Sequence, residues 1–183
     1  MMTIDIINST LIQIIDSIDV ESILECYRSM KDTIQFTESG NKGSQAGLQY
    51  LSNTNPWTSA IGRIQGKELE YNLLNPVFAG TIFETIINQY KFTRTRLIWM
   101  YPMSCYSMHN DPTPRVHIPL ITNEQCYFIF KRGLIQHFPV GNVYYTDTRY
   151  HHTFANCSEE KRLHLVGVVD DNWITNRLTA NQN

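Results

Sequence analysis

The chain has little net charge. Its 183 residues carry 15 Lys and Arg against 17 Asp and Glu, a formal −2. That balance gives no general attraction to nucleic acid or to an anionic membrane, and without a basic stripe a nucleic-acid partner is not expected. No apolar run is long enough to span a bilayer, so no membrane partner is expected either. The opening stretch is apolar in part, but Asp5 and Asp16 interrupt it and it has no basic leader, which does not read as a signal peptide. The four cysteines, Cys26, Cys105, Cys126 and Cys157, are widely spaced and form no CxxC. Reduced thiols in a cytoplasm are the expectation. There is also no internal repeat and no low-complexity tract.

What is present fits one globular domain over residues 1–183. Hydrophobic residues make up 42% and charged residues 17%, enough of each for a substantial core under a soluble surface. Residues 11–30 have helical spacing with a break at 17–19, which predicts one or two N-terminal helices. Residues 32–56, rich in Ser, Asn, Gly, Thr and Gln, read mostly as loop, with a short strand near 33–36. Trp57 follows Pro56 and reads as a core plug. Asn75-Pro76 is a plausible cap and first turn for a helix ending near Tyr90, with Val77, Phe78, Ile82, Phe83, Ile86 and Ile87 as its apolar stripe.

From residue 92 the texture changes to short β-branched and aromatic runs. Strands are predicted at 92–101, 115–122, 125–130, 134–139, 143–146, 152–156 and 162–170, with turn signals between them. Helices first and strands after argue for an α+β fold: a double-stranded β-helix, a jelly roll of the cupin type, with the N-terminal helices packed on one sheet. The expected division is a helical and loop part at 1–91, the jelly-roll core at 92–170 and a C-terminal tail at 171–183.

Within that core, His109 and Asp111 stand two residues apart on an extended segment, so both project the same way and can hold one metal ion. A third ligand should come from the doublet His151-His152, whose members face opposite ways in an extended register. Two imidazoles and a carboxylate on one face of an octahedral metal leave three positions open, the arrangement of non-haem Fe(II) oxygenases. On the last strand, Arg162, His164, Val166 and Val168 share a face opposite Leu163, Leu165 and Val169. Arg162 is a permanent cation on an apolar strand, so an anionic partner is expected, and its planar fork suits a carboxylate.

The pattern His109-Asn-Asp111, then Arg115-Val-His117-Ile-Pro-Leu-Ile-Thr, then His152 with Asn156 four residues on and Arg162-Leu-His-Leu-Val ten residues on, resembles the aspartyl/asparaginyl β-hydroxylase-like family of Fe(II)- and 2-oxoglutarate-dependent oxygenases. The resemblance covers roughly residues 92–170. It implies that His109, Asp111 and His152 bind iron and carry the catalysis. It further implies that Arg162 holds the far carboxylate of 2-oxoglutarate, that His117 contacts a co-substrate carboxylate and that Arg115 belongs to the same co-substrate group. Some protein-hydroxylase members have no carboxylate where this chain has Asp111, and in keeping it the chain looks more like small bacterial and phage members. The implied reaction is hydroxylation of a C–H bond in an amino acid or in an Asp, Asn or Pro residue of a peptide. Its cofactors are Fe(II), 2-oxoglutarate and O2, with ascorbate as a support, and its products include succinate and CO2.

Other histidines and arginines have plainer expectations. His137 and His151 read as structural or surface residues, His164 as structural support and Asp147 as a turn cap. Asn156 is either a hydrogen-bonding support for the site or a strand-end residue. Arg63, Arg94, Arg96 and Arg149 are candidates to recognise a substrate carboxylate, with solvated surface charge as the default reading for all four. A cupin-like metal-dependent isomerase or a non-catalytic small-molecule-binding barrel is the alternative function. The Arg162 spacing argues against the first, and three intact ligand candidates against the second.

Overall fold

The computed structural model describes residues 11–180; the first ten positions of the opening stretch and the last three of the expected tail lie outside the described residues. The chain runs through β1 (Ile12–Ser17), α1 (Val20–Met30), β2 (Thr37–Glu38), β3 (Gly43–Gly47) and β4 (Gln49–Tyr50). A 3₁₀ turn at Glu68–Glu70, β5 (Leu73–Leu74), a second 3₁₀ turn at Pro76–Phe78 and α2 (Ile82–Tyr90) complete the N-terminal half. The core strands follow: β6 (Thr93–Met100), β7 (Ser104–Cys105), β8 (Arg115–Ile121), β9 (Cys126–Phe130), β10 (Ile135–Gln136), β11 (Asn142–Thr146), β12 (His152–Asn156) and β13 (Arg162–Val168). The last described element is α3 (Asp171–Ala180).

Seven strands in the order β1-β11-β8-β13-β6-β3-β2 form the major sheet, and four in the order β10-β9-β12-β7 form the minor one. All pairings are antiparallel. Alternation along the central strands sorts their side chains into two environments. Leu97, Val116, Ile118, Leu120, Leu163 and Leu165 face outward and are covered by Ile23 and Leu24 of α1 and by Phe83, Ile86 and Ile87 of α2. The helices thus pack on one sheet, as expected. The opposite face looks inward at the minor sheet, where Phe128, Phe130 and Phe154 form an aromatic cluster with Phe138 and Tyr144. This is the expected jelly-roll core, with a cavity between its layers lined by apolar and charged side chains.

Residues 11–30 are not all helix. Ile12-Gln-Ile14-Ile15 is β-branched, and the open edge of β11 takes it up as a strand, with a bulge between Ile14 and Asp16. The helix begins only where Asp19 caps it, its carboxylate accepting from the amides of Glu21 and Ser22 at 3.1 and 3.5 Å. The Asn75-Pro76 pair does start a turn, Asn75 accepting from the Val77 amide at 3.3 Å, but Gly80 at φ +73° breaks it before α2. Trp57 is the expected core plug, packed edge-on to Phe78 with ring centroids 5.8 Å apart. The segment expected as a tail forms α3 through Ala180, capped by Asp170, which accepts from the Asn172 amide at 2.9 Å.

The stretch read as loop hides β3. Gly-Ser-Gln-Ala-Gly has low strand propensity, yet β6 offers a free edge, and Gly43 lets the two backbones meet. A Cβ on Gly43 would lie 2.0 Å from the Trp99 carbonyl oxygen. Gly43→Ala should therefore force β3 away from β6, at a cost of about 1–3 kcal/mol. Urea unfolding should register this as a lower midpoint with an unchanged m-value; an unchanged midpoint would mean that the strand edge gives way freely.

Candidate metal centre and cavity

His109 and His152 are brought together by their backbones. Each amide donates to the other residue's carbonyl, at 3.0 Å from His109 and 2.8 Å from His152, so the two residues form an antiparallel bridge. The Asp111 amide donates to the Thr148 carbonyl at 2.8 Å, pinning the other end of the short segment to the same strand approach. One potential ligand atom from each of His109, Asp111 and His152 falls within a cluster spanning no more than 4.8 Å. The His109 Nδ1 lies 2.7 Å from the Ser107 carbonyl and the His152 Nδ1 2.9 Å from the Tyr150 carbonyl. Those contacts fix the tautomers so that both Nε2 atoms are left as donors to a metal. The His152 Nε2 stands 3.7 Å from Asp111 Oδ2. Burial lowers the His152 imidazole, which favours its neutral, ligating form. Its ring stacks on Phe128 at 5.1 Å and 7°. His151, its neighbour in the doublet, is exposed and points away.

The three residues sit at a cavity of about 770 Å³. Arg115, His117, Arg162 and Val166 line it from the inner face of β8 and β13. His117 is buried and neither ring nitrogen has a partner. Its imidazole is held well below the usual histidine range by burial, and then by the Arg162 guanidinium, so it is neutral at pH 7. Arg162 is 2% exposed. Its Cζ lies 3.6 Å from the Phe154 ring centroid, one terminal nitrogen is 3.4 Å from His164 Nδ1, and Nε has no partner. Burial pushes this guanidinium down to about 10, still a cation at neutral pH. No acidic side chain pairs with it among the described residues. Orphaned donors and a buried charge of this kind fit an anionic ligand that enters the cavity.

Arg115 was expected among the co-substrate contacts; it lines the cavity, and both its terminal nitrogens are engaged by acids of the chain itself. It holds Glu68 through both terminal nitrogens, at 3.0 and 2.6 Å, and reaches Asp111 Oδ1 at 3.0 Å. Glu68 is also bound by Arg94 and by the Thr113 hydroxyl. Arg94 additionally donates to the carbonyls of Ala60 and Gly62, at 3.0 and 3.1 Å, tying the 60–70 segment to the site. Neither Arg94 nor Arg96 is solvated surface charge: both are buried and line the cavity. The alternation of β6 carried that signal, because Arg94 and Arg96 share a period with Ile98 and Met100, opposite Leu97 and Trp99. Glu68 gave no such signal, lying in a segment without regular periodicity.

The remaining expectations divide cleanly. Asp147 caps its turn and pairs with Arg149 at 2.7 Å, and Arg149 is half-exposed. Arg63 lines the mouth of the cavity. His137 donates from Nδ1 to the Cys126 carbonyl, 3.0 Å away. Asn156 donates to the carbonyls of Tyr101 and Glu160 and accepts from Ser158, which is a strand-end role. His164 is fully buried beside Arg162.

Fold and site together define a jelly roll with a candidate metal centre at one cavity. A family model described as aspartyl/asparaginyl beta-hydroxylase matches residues 19–170. The chain belongs to the aspartyl/asparaginyl β-hydroxylase family, and its class is that of the 2-oxoglutarate-dependent hydroxylases. A search of curated protein sequences gives no match. Among solved structures, HygX from Streptomyces hygroscopicus, with nickel, 2-oxoglutarate and hygromycin B bound, is 10% identical with a TM-score of 0.53, covering 91% of this chain and 85% of that one. The viral collagen prolyl hydroxylase of Paramecium bursaria Chlorella virus-1, as its 2-oxoglutarate complex, is 9% identical with a TM-score of 0.50, covering 86% and 94%. An oxidoreductase of the 2OG-Fe(II) oxygenase family from Burkholderia pseudomallei is 14% identical with a TM-score of 0.50, covering 79% and 76%. At these identities the likeness is one of fold.

Burial alone would raise the Glu68 carboxyl, but Arg115, Thr113 and Arg94 outweigh it and hold the group below its ordinary value of 4.5. A depressed folded pKa contributes stability that is complete above the unfolded value and is lost as pH falls through the folded one. Glu68→Gln should cost about 3 kcal/mol or more at pH 7, because it leaves the buried Arg94 guanidinium without a countercharge and Arg115 with Asp111 alone. Thermal unfolding across pH should show the gap to wild type narrowing below about pH 4.5. A gap independent of pH would mean that Glu68 acts through packing alone.

Proposed function

We propose that this protein uses Fe(II), 2-oxoglutarate and O2 to hydroxylate an unactivated C–H bond of an amino acid, or of an Asp, Asn or Pro residue in a peptide. Succinate and CO2 are released, and ascorbate keeps the iron reduced. The observation that carries the reading is one cavity holding both the His109–Asp111–His152 cluster and Arg162, a buried cation with no acid beside it.

Bound at the cluster, the iron and its co-substrates supply the oxidising chemistry. The chain supplies position and charge. His109 and His152 offer Nε2 because their Nδ1 atoms are committed to backbone carbonyls. Asp111 offers Oδ2 while Arg115 holds Oδ1, so the carboxylate presents one oxygen in a fixed direction. Arg115 is therefore assigned to orienting Asp111 rather than to holding the co-substrate. Arg162 packs on Phe154, two residues along β12 from His152, a separation of about 7 Å in a strand. A short dicarboxylate with one end at the metal reaches Arg162 with the other. Neutral His117 offers an N–H to a co-substrate carboxylate without adding a third charge. Phe128 and Phe154 exclude water, which strengthens each of these contacts.

The direct test is succinate formation by purified protein given Fe(II), ascorbate and 2-oxoglutarate, alongside 2-oxoglutarate affinity by calorimetry. Wild type should bind and turn over slowly without substrate. Asp111→Ala should form no succinate, and removing the metal with a chelator should do the same. Arg162→Ala should weaken 2-oxoglutarate binding at least about tenfold, since it removes one partner of a buried charge pair. An unchanged affinity in that variant would dismiss the role given to Arg162.

A further inference from the structure

The cavity holds a second buried cation that 2-oxoglutarate does not account for. Arg96 stands on β6 opposite Gly47 of β3 and Val166 of β13, and its side chain lines the cavity. It is 8% exposed. One terminal nitrogen donates to Gln45 Oε1 at 3.0 Å, Nε has no partner, and no acidic side chain pairs with it among the described residues. The acids closest to hand, Asp111 and Glu68, are engaged by Arg115, and Glu68 by Arg94 as well. Burial, and then the Arg94 and Arg115 charges, push the Arg96 guanidinium down to about 9, so it remains a cation at neutral pH. Gln45 and Tyr106 line the same cavity, and the charges of Arg162 and then Arg96 both act on the Tyr106 hydroxyl. A buried guanidinium left without a countercharge is an unfilled anion site.

The register separates this cation from Arg162. Arg162 pairs with Met100, four residues beyond Arg96 on β6, about 13 Å along the strand. One carboxylate of 2-oxoglutarate goes to the metal and the other to Arg162, so a third anionic group is needed for Arg96. We propose that Arg96, with Gln45 and Tyr106, anchors a carboxylate of the molecule that is hydroxylated. The substrate is then one that brings a free carboxylate into the cavity, from a free amino acid or from an acidic side chain of a peptide, and not a neutral amide. This rests on the function proposed above. Arg115 already has Glu68 and Asp111 as countercharges. Arg96 is a fork-shaped donor with space in front of it, which suits two-point contact with a carboxylate.

The test uses protein loaded with redox-inert Ni(II) and 2-oxoglutarate, and reads thermal stability rather than turnover. The probes are L-aspartate, L-proline, and the capped tripeptides Gly-Asp-Gly and Gly-Asn-Gly, with inorganic phosphate as a second anion. In wild type, the free amino acids or the Asp tripeptide should raise Tm by about 2 °C or more, and which of them does so identifies the source of the carboxylate. The Asn tripeptide should do nothing. In Arg96→Met the shift should disappear while 2-oxoglutarate affinity stays within about twofold; Arg96→Lys, which keeps the charge but loses the fork, should keep part of it. Without any ligand, Arg96→Met should unfold no lower than wild type, because it removes an unpaired buried charge. A tenfold loss of 2-oxoglutarate affinity in Arg96→Met would make Arg96 a co-substrate contact and overturn the proposal. So would equal probe shifts in wild type and variant, stabilisation by phosphate alone or by the neutral tripeptide, or no stabilisation by any probe. Should wild type fail to bind 2-oxoglutarate, the proposed function fails, and the same probe shifts on protein without 2-oxoglutarate still decide the role of Arg96.

Discussion

The ion-pair knot at Glu68 is the contact on which the geometry of the site depends. One buried carboxylate accepts from Arg94 at the start of β6, from Arg115 at the start of β8 and from the Thr113 hydroxyl between Asp111 and Arg115. Arg115 then passes the constraint to Asp111. Charges this deeply buried attract strongly but are costly to desolvate, so the arrangement holds only as a complete set. Its effect is to make the aim of a candidate metal ligand on the jelly roll depend on a 3₁₀ turn in the N-terminal half. The helical and loop part is thus part of the site, as well as a cover for the outer face of the sheet.

Counting charges inside the cavity exposes an imbalance with a direction. Glu68 and Asp111 answer Arg94 and Arg115, whereas Arg96 and Arg162 have no acid between them. His117 and His164 avoid adding to the excess by being neutral, both held low first by burial and then by Arg162. Local rules of burial are broken here and obeyed elsewhere, the pattern expected where structure gives up stability for binding. The stability comes from the other side of the same strands, where Leu97, Val116, Ile118, Leu163 and Leu165 meet two helices.

The parts of this arrangement that were legible in the sequence are those set by short-range periodicity. β12 begins and ends at His152 and Asn156 as read, β8 and β13 depart by a residue or two at one end, and the alternation on β13 put Arg162 and Leu163 on opposite faces. His109 and Asp111 were paired because spacing on extended backbone fixes direction, and the family resemblance chose His152 from its doublet. Sequence reading failed where a partner strand decides. Ile12-Gln-Ile14-Ile15 has no local preference strong enough to choose between helix and strand, and the edge of β11 chose. Gly43–Gly47 reads as loop by composition, and the edge of β6 made it a strand. Arg94 and Arg96 were candidates for a substrate carboxylate but were read by default as surface charge for a different reason: charge was weighed ahead of the alternation that places them inside. Glu68 has neither periodicity nor motif, and only its ion pairs mark it.

Burial within the site grades from open to closed. His109 is exposed, Asp111 is partly covered, and His152, His117 and Arg162 are buried. The open end belongs to the segment 107–113, which is not a strand and is fixed by its pairings to 148–152 and to Arg115 and by the Thr113 hydroxyl on Glu68. The closed end belongs to β8 and β13, which lie side by side in the interior of the major sheet, bonded on both edges. Central strands offer the most rigid mounting in such a fold, because both their hydrogen-bonding edges and their outer faces are committed. The groups that must tolerate an unpaired charge stand on that rigid ground, where the surrounding structure keeps Arg162 from turning outward to water. Arg96 shares the condition, since β6 is bonded to β13 on one side and β3 on the other. Had β3 remained a loop, β6 would be an edge strand, and a guanidinium on it would have a path to solvent. The glycine that lets β3 approach is therefore also what keeps the second cation facing the cavity.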